Sequence, residues 1–174
     1  MHRQETLDPL ASVLLESATH DDLPVILRLL ERCHLPTDDV PPIVTSFIKV
    51  SSGHTVVGTV ALESFAPVGL LRSLAVDPAF RKHGLGGRLC DRLLEQARRE
   101  ALTAVYLLTT DAAGYFEKLG FHVIDRAVAP DAIRATQQFR ELCPDSATLM
   151  SRDIPHTTIG VADWAHGTRG AERS

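Results

Sequence analysis

Aromatic side chains are scarce in this chain of 174 residues, at 5% of the total, with one Trp, two Tyr and six Phe. Cysteine is scarcer still. Cys33, Cys90 and Cys143 are odd in number and show no Cys-x-x-Cys spacing, which excludes a disulfide framework and fits reduced thiols. Eight histidines are scattered without i, i+4 pairs, so no metal site is expected. No run approaches the roughly 20 apolar residues of a membrane span, and the opening MHRQETLDPLAS offers no apolar stretch suited to a signal peptide. A cytoplasmic protein is expected. An excess of positive charge is also missing: 18 basic residues face 22 acidic ones, for a net charge of −4, which argues against a broad nucleic-acid surface. What remains, at 44% apolar, is an ordinary globule of one domain, long enough to bury about 70% of its unfolded surface.

Chemistry concentrates between residues 70 and 87, LLRSLAVDPAFRKHGLGG. The stretch reads as an apolar strand, a Pro-punctuated bend, and a basic loop whose glycines open into a helix. Such a loop points successive backbone N–H groups, backed by the helix dipole, at one spot outside the sheet. That spot suits a phosphate. A nucleotide-hydrolysing loop would end in Gly-Lys-Ser/Thr, yet Gly86 is followed by Gly87 and Arg88. The dinucleotide fingerprint fails as well, because Leu89 stands where its third Gly belongs. The local cluster of Arg81, Lys82, His83 and Arg88 can still attract a compact polyphosphate.

Along the rest of the chain, residues 12–16 read as a strand, and Thr19 or Asp21 can cap a helix whose Leu23, Ile26, Leu27, Leu30 and Cys33 share one face. Residues 37–42 are a Pro-broken, acidic turn or short helix. A hairpin follows, with arms at 47–50 and 55–65 and Gly53 at its turn. Glu63 and Arg72 interrupt otherwise apolar strands; each is a strand-end charge, a partner in a cross-strand ion pair, or part of a site. Strand alternation places Arg72 on one face with Leu74 and Val76, and Ser73 on the other. The helix from 86 to about 102 is amphipathic, residues 105–110 return as a strand, Asp111 caps a short helix ended by Gly120, and 121–123 are extended. A helix over 132–142 and a strand over 146–151 close the domain. The expected organisation is a loose start at 1–11, one domain over 12–152, and a disordered tail at 153–174.

Two motifs together carry a resemblance. Arg81-x-x-Gly84-x-Gly86 after a strand resembles the pyrophosphate loop of the GNAT superfamily of acetyl-CoA-dependent N-acetyltransferases. After the next strand, Ala112, Phe116, Gly120 and Phe121 fall at the spacing of that superfamily's Asn-x-x-Ala…Tyr-x-x-x-Gly-Phe motif, with Thr109 in place of Asn and Phe116 in place of Tyr. The resemblance covers roughly residues 12 to 152. It implies an α/β (α+β) fold with a mixed, mostly antiparallel sheet, flanking helices, and fourth and fifth strands that splay apart. Acetyl-CoA would lie in the splay as cosubstrate, its pantetheine arm beside the backbone of Leu74, Ala75 and Val76. Its pyrophosphate would meet Arg81, Lys82, His83, Gly84, Leu85, Gly86 and Gly87, with Thr109, Ala112 and Phe116 on the opposite wall. Dimers are common in the superfamily, so a homodimer is one state the resemblance allows.

Acetyl transfer to an amine needs a base, a donor to the carbonyl oxygen, and departure of a thiolate. The resemblance puts the amide of Ala75 or Val76 at the oxyanion, and Glu63 is the best-placed carboxylate for the base, directly or through water. The acid is open: the usual Tyr is Phe116, and Tyr115, one helical step of roughly 100° away, is expected to turn into the core, leaving water or another residue. The wording LLRSLAV, YLLTTDAAGYFEKLGF and DAIRATQQFRELCPDSA resembles acetyltransferases encoded beside arsenic-resistance genes. Such relatives acetylate the α-amine of glutamate-like antibiotics bearing an arsinate or phosphinate. For that oxyanion Arg72, Ser73 and Arg134 are the candidate contacts. Acetylation of another amine (an amino acid, a polyamine or a protein) and a non-catalytic acetyl-CoA sensor are the competing readings.

Overall fold

A computed structural model describes residues 13–142 and 145–155. Seven strands form one sheet: β1 (Val13–Ser17), β2 (Phe47–Ser52), β3 (Thr55–Phe65), β4 (Val68–Val76), β5 (Ala104–Thr109), β6 (His122–Ile124) and β7 (Thr148–Asp153). Their order is β1-β2-β3-β4-β5-β7-β6. Every neighbouring pair is antiparallel except β4 and β5, which are parallel. A parallel step needs a crossover, and α2 (Leu85–Arg99) supplies it.

Helix α2 lies on one face of the sheet. Its Leu85, Leu89, Cys90, Leu93, Leu94 and Ala97 recur at helical spacing and are buried against Val60, Leu62, Leu71 and Val105. The fit is close at Gly58, where a side chain would stand 2.7 Å from Val50 Cγ1 and 3.1 Å from Leu89 Cδ1. Phe116 of α3 (Ala113–Lys118) and Phe121 fill the same layer. The opposite face carries two smaller clusters. Ile26, Leu29 and Leu30 of α1 (Leu23–Arg32) pack with Phe47, Ala61 and Ala75, while Ile133 of α4 (Asp131–Arg134) packs with Val68, Leu70 and Leu149.

Strand β4 does not alternate simply. Arg72 is opposite Ala61 and Ala75 opposite Thr59, so Ser73 and Leu74 share the single partner Val60. Ser73 takes a left-handed φ of 55° to make this bulge. Side-chain parity flips there. Leu74 and Val76 therefore pack on the α2 face with Leu71, and Arg72 faces the α1 side beside Ala61 and Ala75. The simple alternation that placed Arg72 with Leu74 and Val76 is corrected by the extra residue.

The expected helix over 132–142 is broken after Arg134. The Thr136 hydroxyl donates to the Ile133 carbonyl at 2.7 Å and accepts the Phe139 N–H at 3.2 Å, a local alternative to the helical ladder. A π-helical turn then covers Gln138–Leu142. Strand β7 runs to Asp153, and Ile154 beyond it is buried. The expected loose start, and the expected tail from 156 onward, lie outside the described residues, as does Cys143.

Candidate active site

The parallel ladder between β4 and β5 is short: Val68 pairs with Ala104, Gly69 with Val105 and Leu70 with Tyr106. Beyond Leu70 the strands separate. The bulge at Ser73 steers the end of β4 away, and a cleft of about 630 Å³ opens between Leu71–Val76 and residues 107–112. The loop at Arg81, Lys82, Gly84 and Gly86 closes one end, and Gln138 and Leu142 border it from the π turn. Leu74, Ala75, Val76, Leu85, Thr109, Ala112 and Phe116 also line this space. His83 and Gly87, from the same loop, do not.

Backbone direction along β4 follows from the ladder with β3. The Asp77 N–H donates to the Val57 carbonyl at 2.8 Å, and Gly58 faces Val76. In an antiparallel pair, hydrogen-bonded and non-bonded positions alternate. Ala75 therefore turns its N–H and C=O toward Thr59, while Leu74 and Val76 turn theirs into the cleft. Leu74 lies beside the bulge and Val76 nearer the basic loop.

The loop is held by its own side chains. Asp77, 5% exposed, accepts the Ala79 N–H at 3.0 Å and pairs with Arg32 at 2.5 Å. Lys82 and Gly84 have left-handed φ of 68° and 76°, the conformation that favours Gly at the second position. Gly84 is the N-cap of α2, and no side chain caps the helix. The first N–H groups of a 15-residue helix are thus directed at the cleft end, where their partial charge favours an anion. Arg81 is exposed, and its Nε donates to the Val76 carbonyl at 3.0 Å while Nη2 lies 3.7 Å from Cys33 Sγ. On the far wall the Thr109 hydroxyl accepts the Ala112 N–H at 3.0 Å. Thr109, rather than the expected Asp111, therefore holds the start of α3.

Tyr115 does not turn into the core as expected, whereas Phe116 lines the cleft from a buried position. Phe116 is 7% exposed and packs edge-on against Phe121 with ring centroids 5.8 Å apart. Tyr115 is 43% exposed and lines the cleft, its hydroxyl so near Gly86 that a Cβ there would collide with it. The helical step aims Phe116 at Phe121 in the core and leaves Tyr115 at the cleft. Partial burial, with a smaller push from the Cys90 thiolate form, raises the Tyr115 hydroxyl above its ordinary range.

On the α1 side Arg72 is 4% exposed and saturated. Its two terminal nitrogens make paired hydrogen bonds to the Asp39 carboxylate, and Nη1 donates to Glu63 Oε1 at 3.0 Å. Burial works against the guanidinium's charge, but the two carboxylates outweigh it and hold the pKa above the ordinary value. One cation between two carboxylates leaves the group net negative. Arg72 and Ser73 border the cleft, whereas Glu63 and Arg134 do not. Arg134 is exposed and donates to the Ala127 carbonyl. Asp39, in the acidic Pro-broken turn, is the member of this constellation that sequence reasoning did not single out, and Gln138, 8% exposed in the cleft wall, is another.

A sheet parted beyond Leu70, with a basic Gly loop and helix N-terminus at one end and outward backbone groups along one lip, can accept an extended ligand that carries an anionic group. Residues 11–121 match the acetyltransferase (GNAT) family. The chain belongs to that family. Among its relatives is the amino-acid acetyltransferase of Mycobacterium tuberculosis, 41% identical over 71 residues that make up 40% of this chain and 40% of the relative. The chain spans about two fifths of that relative's length. Solved structures with the same fold include N-acetylglutamate synthase from Neisseria gonorrhoeae complexed with coenzyme A and N-acetyl-glutamate (TM-score 0.72, 22% identity, 84% of this chain and 36% of that one). Another is the ribosomal-protein-S18-alanine N-acetyltransferase of Escherichia coli (TM-score 0.65, 16% identity, 86% and 99%). Those two proteins are named for different acceptors, so the fold leaves the acceptor open.

Proposed function

We propose that the protein transfers the acetyl group of acetyl-CoA to the α-amine of a small amino-acid-like acceptor. The observation that carries this reading is the cleft itself, open along Leu74–Val76 and ending at an uncapped helix N-terminus behind a basic Gly loop. The loop would take the pyrophosphate, and the outward groups of Val76 would pair with the pantetheine arm. The thioester then lies toward the bulge, where the Leu74 N–H is the outward donor for the developing oxyanion, a contact typically worth about 3–4 kcal/mol. Ala75, whose amide turns to Thr59, shapes the lip. Glu63, beside Arg72 and outside the cleft lining, is the proposed base and acts through water. The Tyr115 hydroxyl sits beside Gly86 at the proposed phosphate end, so in this reading water protonates the departing thiolate, which a thiol of pKa near 8.5 permits.

For the acceptor, support comes from the relative named an amino-acid acetyltransferase and the structural neighbour complexed with N-acetyl-glutamate. The resemblance to acetyltransferases of arsenic-resistance clusters narrows the proposal to glutamate-like acceptors, arsinate and phosphinate analogues included. Arg72 would frame that acceptor while remaining bound to Asp39 and Glu63. The test is release of free thiol from acetyl-CoA by purified protein with glutamate, phosphinothricin, arsinothricin, other amino acids and polyamines. Release with the glutamate-like compounds is expected, with Glu63→Gln lowering turnover by a factor on the order of 10². Release only with polyamines, or none while acetyl-CoA still raises Tm, would remove the amino-acid reading.

A further inference from the structure

Arg81 carries two incompatible duties. As the cation at the head of the phosphate loop it suits a pyrophosphate, yet here its Nε–H is bonded to the Val76 carbonyl at 3.0 Å and its Nη2 rests on Cys33 Sγ at 3.7 Å. Cys33 Sγ itself lies 3.6 Å from the same carbonyl, as a thiol donor. A carbonyl has two lone pairs, and both are occupied. The ladder with β3 turns this carbonyl into the splay, where β5 is no longer a partner. It is the acceptor that an amide N–H of an extended ligand between the strands would need.

We propose that Arg81 is a latch on the Val76 carbonyl which makes seating of the pantetheine arm conditional on a diphosphate, so that the protein selects coenzyme A thioesters over pantetheine thioesters lacking it. The inference rests on the acetyl-CoA reading above. A ligand with a diphosphate draws the guanidinium onto the phosphate oxygens, where a charge-assisted, forked contact replaces the bond to a neutral carbonyl. The lone pair that Arg81 held is then free for the arm, while Cys33 keeps the other. A ligand without the diphosphate must break the Arg81–Val76 bond and gives the guanidinium nothing in return. Arg81 is exposed and lies outside the core, so its replacement leaves the fold intact. The coupling is reciprocal, as binding linkage requires.

The test is calorimetric titration of acetyl-CoA and S-acetylpantetheine into the wild type and Arg81→Ala. The variant is expected to bind acetyl-CoA about tenfold more weakly and S-acetylpantetheine about three- to tenfold more tightly, the net range for one ordinary hydrogen bond. Inorganic pyrophosphate at saturation should strengthen S-acetylpantetheine binding to the wild type and leave the variant unchanged. If the variant binds S-acetylpantetheine no better than the wild type while acetyl-CoA binds the wild type normally, the latch is overturned and the cofactor reading stands. If acetyl-CoA does not bind the wild type, the cofactor reading falls and takes the latch with it.

Discussion

At the scale of single residues, the Arg72 group dominates the side of the sheet that carries α1, where the acceptor is proposed to lie. Its guanidinium side chain is 2% exposed and Asp39's carboxylate 8%, so either charge left alone would be stranded in a poorly solvated place. Removing one partner of such a pair costs about 3–5 kcal/mol, far more than a surface ion pair. Arg72→Met is therefore expected to lower unfolding free energy by about that amount in urea denaturation, and Asp39→Asn by less, because Glu63 still pairs with the guanidinium. The double variant should lose less than the sum, because the Asp39 charge that Arg72→Met strands is then removed as well. Additive losses would mean that the two residues act independently. The same group limits what Arg72 can do for a ligand: an acceptor anion that took its fork would have to displace a buried carboxylate.

At the scale of elements, the start of α2 and the start of α3 are fitted to one another. Gly86 lies under the Tyr115 hydroxyl, and a methyl group there meets that oxygen first and the ring's Cζ only at 3.3 Å. Gly86→Ala should push Tyr115 aside and raise KM for acetyl-CoA. Tyr115→Phe, which removes the colliding atom, should restore most of that loss, a coupling visible in a double-mutant cycle. Tyr115→Phe alone should leave kcat within about tenfold, since a lost general acid typically costs 10² or more. A larger fall in kcat would place the acid at Tyr115 after all. Gly84 differs: no atom lies within 4 Å of where its Cβ would be, but its φ is 76°. Gly84→Ala is costly through backbone strain alone, about 1–2 kcal/mol.

At the scale of the whole molecule, pH acts through buried acids. Burial under α2, with a smaller push from Asp91, lifts the Cys90 thiol from 9.0 to about 12. The folded chain therefore holds this proton more tightly than the unfolded chain does. Its contribution is fully present below pH 9 and is lost as pH rises toward 12. Burial, reinforced by Asp153 for Tyr106 and by Cys90 for Tyr115, raises those two hydroxyls as well, and they act in the same direction at higher pH. Denaturation midpoints measured from pH 8 to 11 should fall, and Cys90→Ala should flatten the fall while lowering stability at pH 8 by on the order of 1 kcal/mol. An equally steep fall in the variant would assign the alkaline loss to other groups.

What the sequence by itself determined lies within short reach along the chain. The Arg81-x-x-Gly84-x-Gly86 loop, the period of α1 and α2, and the hairpin of β2 and β3 depend on backbone preference and local spacing, which neighbouring residues carry in full. The splay was legible only through resemblance, because a broken ladder leaves no local trace. Tertiary structure alone decided the rest. Arg72 and Asp39 are 33 residues apart, and nothing local marks one carboxylate in an acidic turn as its partner. The bulge at Ser73 reverses every side chain after it, and the backbone groups of Leu74 and Val76 rather than those of Ala75 are the ones turned toward the cleft, since one residue without a cross-strand partner shifts a period of two. Tyr115 and Phe116 were separable only once the position of Phe121 showed which ring α3 buries. A local competitor was also missed: the Thr136 hydroxyl bonds the Ile133 carbonyl and the Phe139 N–H, beside the break in a helix that composition favoured.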